Sequence, residues 1–164
     1  MTGWVLPVLG LMLVLGACGN PYTGSTVGQQ VESWATTSPD PKFATAVSTL
    51  QADMRRIARA QSSDDEGVLR TDCDVLVTDA LSANQNLPTP DSQLTNVLSR
   101  TYASAANAGR DCLCAAGGHT CTADSPGKAN LLRRSAGERT AAERGFIKAE
   151  ARVDVLAVAS GGRR

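Results

Sequence analysis

The spacing of large apolar side chains constrains the fold of this chain more than any other feature. Early in the chain these residues recur at alternating steps of four and three, which places them on one face of a helix: Phe43, Val47, Leu50, Met54, Ile57. Asp40 and Pro41 come directly before the pattern, and they suit an N-cap and a first helical position. The spacing therefore predicts an amphipathic helix that begins at about residue 40.

Three further segments have the same period. A second helix is predicted over about 68–86, and a third begins after the turn "NLPTPD", with Thr89 as cap and Pro90 as first residue. A fourth begins at Ser125 and Pro126 and runs to Ala159. The chain has only two Trp, two Tyr and two Phe, so its core must consist of Leu, Val and Ala in closely packed helices. We therefore expect an all-α, up-and-down bundle of about four helices, stapled by disulfides.

The N-terminal segment indicates export. Residues 3–16 form an apolar run of fourteen residues, shorter than the about 20 residues that span a bilayer. Such a run followed by small residues is typical of a signal peptide. Leu15-Gly16-Ala17-Cys18 resembles the lipobox of bacterial lipoproteins. That resemblance implies cleavage after Ala17, lipidation of Cys18 and attachment to the extracytoplasmic face of the cell membrane.

The alternative is an ordinary signal peptide or an N-terminal anchor helix with an incidental cysteine. Lipoprotein signals usually carry Lys or Arg ahead of the apolar run, whereas the first basic residue here is Lys42. We therefore expect either a start upstream of Met1 or a weak signal. The predicted organisation is a signal peptide at 1–17, a flexible lipid-anchored tether at 18–39, a helical bundle domain at 40–160 and a disordered tail at 161–164.

The other cysteines are Cys73, Cys112, Cys114 and Cys121. An even number in an exported chain favours disulfides. Cys73 and Cys112 lie on the inward faces of neighbouring predicted helices, so we expect them to pair and to leave Cys114 with Cys121. The alternative is a zinc or copper(I) site formed by Cys112, Cys114, Cys121 and the single histidine, His119. Apart from that alternative, no cofactor is expected.

Several segments carry a second resemblance. The segments "LRTDC" at 69–73, "ANQNLPTPD" at 83–91, "TYASAANAGRDC" at 101–112 and "NLLRRS" at 130–135 resemble a group of uncharacterised actinobacterial exported helical proteins. The resemblance implies a helical extracytoplasmic domain with one cysteine in each of its second and third helices, here Cys73 and Cys112. It implies no activity.

The sequence has little of the chemistry that enzymes need. It contains no Gly-rich phosphate loop after a strand and no Gly-x-Ser-x-Gly turn, so we expect no catalytic site. The net charge is zero, which argues against a nucleic-acid partner. The predicted function is a lipid-anchored binding or scaffold module with an unknown protein partner. The alternative is a thiol-rich metal-binding or redox protein.

The C-terminal third of the chain is cationic, with nine basic and four acidic residues from Gly127 to Arg164. Four of the basic residues fall on one side of the predicted fourth helix: Arg133, Arg144, Lys148, Arg152. A solvated face is the simpler interpretation. The alternative is contact with anionic lipid headgroups or with an acidic partner.

Overall fold

The computed structural model of the chain describes residues 24–36, 42–63, 65–118, 121 and 126–161. These residues form five α-helices and no strand: α1 (Val27–Thr36), α2 (Lys42–Ser63), α3 (Glu66–Asn84), α4 (Ser92–Ala115) and α5 (Lys128–Ala159). The predicted all-α class is confirmed. Across the described ranges, no helix combines the length and the apolar character needed to cross a bilayer.

Helices α2 to α5 form the up-and-down bundle that the sequence predicts. Each packs against the next in the chain, and α4 lies between α3 and α5, with which it makes its most extensive contacts. The predicted apolar faces point inward, and six large side chains are completely or almost completely buried: Leu50, Ile57, Leu76, Leu94, Leu98, Phe146. The periodicity therefore identified the inward faces of these helices correctly.

Small residues set the distance between the central helices. A Cβ atom added at Gly109 of α4 would lie 2.9 Å from the carbonyl oxygen of Cys73 and 2.7 Å from Cγ2 of Val77, both on α3. The two backbones thus approach more closely than any side chain at Gly109 would allow. Ala105 and Ala108 are also fully buried on α4. A core poor in aromatic residues is filled in this way by bringing the helices together.

Helix α1 lies inside the segment that the sequence predicted to be a flexible tether. It packs against α5 and α2, and Val31 is only 1% exposed. The ring centroid of Trp34 lies 6.2 Å from that of Phe43 on α2. The prediction for 18–39 therefore needs correction over Val27–Thr36, because Gly28, Val31 and Ala35 recur at helical steps of three and four and lie buried on one face.

The starts of two helices differ from the prediction. Asp91, rather than Thr89, caps α4: its Oδ1 accepts a hydrogen bond of 2.7 Å from the backbone N–H of Leu94. The Thr89 hydroxyl instead donates to the carbonyl oxygen of Asp91 at 2.7 Å. Helix α5 begins at Lys128, two residues after Pro126. Asp40 and Pro41 lie outside the described residues, as does the predicted tail from 162 onward.

Candidate functional site

The four bundle cysteines are paired as the sequence predicts. Cys73 and Cys112 join α3 to α4, and Cys114 and Cys121 close a short loop after α4. The alternative metal site needs Cys112, Cys114 and Cys121 as thiolates, and all three sulfurs belong to disulfides. Within the described ranges, no group of three or more His, Cys, Asp or Glu side chains is arranged to hold a metal ion. His119 and the predicted lipidation site Cys18 both lie outside those ranges.

The predicted basic face of α5 is divided between different environments. The guanidinium of Arg133 donates to Oδ1 of Asn130, one turn earlier in the same helix. Arg152 donates from Nε and Nη2 to the two carboxylate oxygens of Asp91, at 3.1 and 2.7 Å. Only Arg144 and Lys148 remain together, one helical turn apart. The four residues therefore do not form one continuous cationic surface.

The pair Arg152–Asp91 connects the late part of α5 to the start of α4. Two parallel hydrogen bonds between a guanidinium and a carboxylate are strong and fix their relative orientation. Arg152 lowers the pKa of Asp91, burial opposes this, and the hydrogen bond from Leu94 lowers the pKa further. Arg152 therefore serves a structural contact with Asp91.

A groove lies between α4 and α5 beside the remaining two cations. It forms because the side chains that line it are small: Gly145 and Ala141 on α5 face Thr101 and Ser104 on α4. A Cβ atom at Gly145 would lie 2.1 Å from Oγ1 of Thr101, so the helices touch there and separate outward. The groove has a volume of about 410 Å³ and is open to solvent.

Three basic side chains border this groove: Arg144 and Lys148 from α5, and Arg100 from α4. All three are exposed, and none forms an ion pair with another residue in the part of the chain that the structure describes. Sequence reasoning found Arg144 and Lys148 but missed Arg100, because nothing in the α4 sequence shows which side of it faces α5. Together the three form an electropositive rim that we call the basic groove.

A buried carboxyl group lies elsewhere, between α2 and α3. Asp53 is completely buried, pairs with Arg56 and faces Asp79 and Asp72 of α3. Burial, and then the Asp79 carboxyl, raise the pKa of Asp53 to about 6, while Arg56 opposes the shift. This carboxyl belongs to the interior of the bundle and is not accessible to a ligand.

No protein-family model matches this chain, and the searches of curated proteins and of solved structures found no match.

Proposed function

We propose that this protein is a lipid-anchored extracytoplasmic module that binds an acidic protein partner through the basic groove. One observation carries the binding part of the proposal: Arg100, Arg144 and Lys148 converge on a single groove, and none of them forms an ion pair with a described residue. Cations brought together from two helices repel each other, and a bound carboxylate would relieve that repulsion. Guanidinium groups also match the geometry of carboxylates.

The charges around the groove favour a protein partner over an anionic lipid surface. Glu143 and Glu150 are exposed on the same helix as Arg144 and Lys148. Their repulsion would offset part of the attraction between the groove cations and a flat layer of anionic headgroups. A protein partner can present carboxylates to the groove alone, and exposed charges of this kind set association rate and specificity.

The anchor is supported by the apolar run of residues 3–16 and by the small residues and cysteine that follow it. Gly24 is the first described residue, and it follows Cys18 by six residues, which span at most about 20 Å. A lipidated Cys18 would therefore hold the bundle close to the bilayer surface. Two or more acyl chains give durable attachment, whereas a single chain is marginal.

The anchor is tested by the intact mass of the full chain extracted from bacterial membranes. We expect a polypeptide that begins at Cys18 and carries the added mass of acyl chains. A chain that retains residues 1–17, or that has a free Cys18 thiol, would contradict the anchor.

The groove is tested with a fluorescent glutamate-rich peptide as probe, added to the full chain in detergent. We expect Arg100→Glu with Lys148→Glu to weaken binding about tenfold, since two attractive contacts become repulsive, and we expect binding to weaken as salt rises. Arg55→Glu is the matched control, because Arg55 is an exposed cation on α2 away from the groove. Equal affinities for the groove variant and the control would contradict the proposal, as would groove-dependent binding to phosphatidylserine vesicles in place of the peptide.

A further inference from the structure

The outer face of α5 carries an apolar stripe that no other described residue of the chain covers. Ile147 is 64% exposed, Val155 58% and Val158 75%, and Ala151 lies exposed between them. Steps of four, four and three residues keep these side chains within an arc of about 80° of the helix surface. The buried residues Ala142, Phe146 and Ala149 occupy the opposite side of α5. Large exposed aliphatic side chains aligned in this way mark an interaction surface.

Charges of opposite sign border the two edges of this stripe. By helical geometry, Lys148 lies along the edge next to the basic groove, and Arg144 lies within the arc of the stripe, three residues before Ile147. Glu143 and Glu150 lie along the other edge, on the same side as Asp154. The apolar stripe thus has one basic and one acidic edge. Two copies of it are complementary when the basic edge of each copy meets the acidic edge of the other.

We propose that the acidic partner is a second copy of this chain, packed with the two α5 helices parallel and side by side. In a parallel pair related by a two-fold axis along the helices, the basic edge of each copy meets the acidic edge of the other. An antiparallel pair would instead bring like edges together. The inference rests on the proposed function, since it names the partner whose carboxylates occupy the basic groove: Glu143 and Glu150.

The attachment end of the bundle agrees with a parallel pair. The start of α1 packs at the C-terminal end of α5, where a Cβ at Gly28 would lie 2.3 Å from the carbonyl oxygen of Leu156 and 2.7 Å from Cβ of Ser160. A parallel pair therefore places the start of α1 at the same end of both copies, as two chains anchored in one membrane require. An antiparallel pair would direct one bundle toward the bilayer and the other away from it.

The stripe is short, so its apolar area is small compared with that of a stable soluble dimer. Anchoring in a membrane confines both copies to a thin layer and raises their effective concentration, which compensates for a small interface. The pair therefore forms on the membrane and dissociates on dilution in detergent.

Cysteine cross-linking of the full chain in bacterial membranes tests the pair and its direction. In a parallel pair each residue of the stripe faces the same residue of the other copy. Ile147→Cys alone and Val158→Cys alone should therefore each form covalent dimers. Ala58→Cys, an exposed position on α2, should remain monomeric. Dimers that appear only when the Ile147→Cys and Val158→Cys chains are mixed would show an antiparallel pair and overturn the proposal, as would the absence of dimers from all variants.

Charge reversal gives a second, independent measurement. On the Val158→Cys chain, Lys148→Glu should lower the dimer yield about threefold by opposing Glu143 and Glu150 of the other copy, and adding Glu143→Lys should restore it. A yield unchanged by Lys148→Glu would contradict the complementary edges. If the glutamate-rich peptide still binds the groove but no dimer forms, the second copy is excluded as partner and the proposed function stands.

Discussion

At the scale of single residues, Asp53 is a completely buried carboxyl group whose ionisation state affects stability. It follows Leu50 by three residues, so it lies on the buried face of α2. Its pKa is raised from 3.8 to about 6, chiefly by burial. The folded state therefore holds this proton at pH values where the unfolded chain has released it. The stabilising contribution is complete below about pH 4 and is lost as the pH rises through about 6.

Asp53→Asn should remove this dependence on pH. We expect the variant to unfold at higher urea than the wild type at pH 7.5, with a gain of about 2 kcal/mol, and to match it near pH 4. Asp74→Asn, at an exposed position on the neighbouring helix, is the control and should change little at either pH. A variant less stable than the wild type at pH 7.5 would show that the ion pair with Arg56 outweighs the cost of burial.

A second prediction at this scale concerns Arg152 and Asp91. Because Arg152 lowers the pKa of Asp91, their contact stabilises the fold above the usual pKa of a carboxyl group and is lost as the pH falls below about 4. Arg152→Gln should lower the midpoint of thermal unfolding at pH 7, and this loss should shrink as the pH falls below about 4 and Asp91 becomes protonated. Arg133→Gln, which loses only a contact to Asn130 within its own helix, should be almost neutral at both pH values. Equal losses for the two variants at pH 7 would contradict the structural role of Arg152.

At the scale of helices, the contact between α4 and α5 depends on the absence of a side chain at Gly145. Thr101 fills the space opposite, and its hydroxyl donates to the carbonyl oxygen of Val97 at 2.7 Å. The same contact defines the inner wall of the basic groove. Helix packing and the geometry of the candidate site therefore depend on one residue.

Gly145→Ala should destabilise the bundle by about 1–3 kcal/mol in urea unfolding, since the added methyl group overlaps Thr101 and forces the helices apart. Gly137→Ala, in the same helix, has no atom within 4 Å of the new methyl group and should be stabilising by up to about 1 kcal/mol. Adding Thr101→Ala to Gly145→Ala should recover part of the loss. If both glycine variants gained stability, α4 and α5 would not pack as closely as described.

At the scale of the whole molecule, two disulfides supplement a core that contains few aromatic side chains. The cysteines of the first disulfide are 39 residues apart, and it links two central helices. Those of the second are 7 residues apart and close a loop at the end of α4. Arg70 of α3 reaches the same end, where its Nη2 donates to the carbonyl oxygen of Ala116 at 2.8 Å. The first disulfide therefore constrains far more of the unfolded chain than the second.

Removing the disulfides separately should show this difference. In the chain-entropy description, replacing Cys73 and Cys112 by Ala should cost about 4 kcal/mol, and replacing Cys114 and Cys121 should cost about 2.5 kcal/mol. Urea unfolding of the two double variants, with and without reductant, measures both losses. If the variant without Cys73 and Cys112 is too unstable to purify, the loss measured for the variant without Cys114 and Cys121 still tests the expected magnitude. If reductant left the urea unfolding of the wild type unchanged, this account would be contradicted.

The sequence by itself determined the helical class and the inward faces of α2 to α5. Each follows from local spacing, because a repeat of about 3.6 residues dictates which side chains share a face. The helical content of α1 was present in the same spacing at Gly28, Val31 and Ala35, but the polar residues around them concealed it. Asp53 could also have been identified from its place on the face of Leu50 and Ile57.

Only the tertiary structure decided which basic side chains pair with a carboxylate and which border the groove. Arg152 and Lys148 share one side of α5, yet Arg152 lies beside Asp91 and Lys148 beside a groove. Arg100 joins that groove from a different helix. Helix periodicity relates residues within one element, whereas the neighbours of a charge depend on how two elements lie against each other, and no local pattern contains that information.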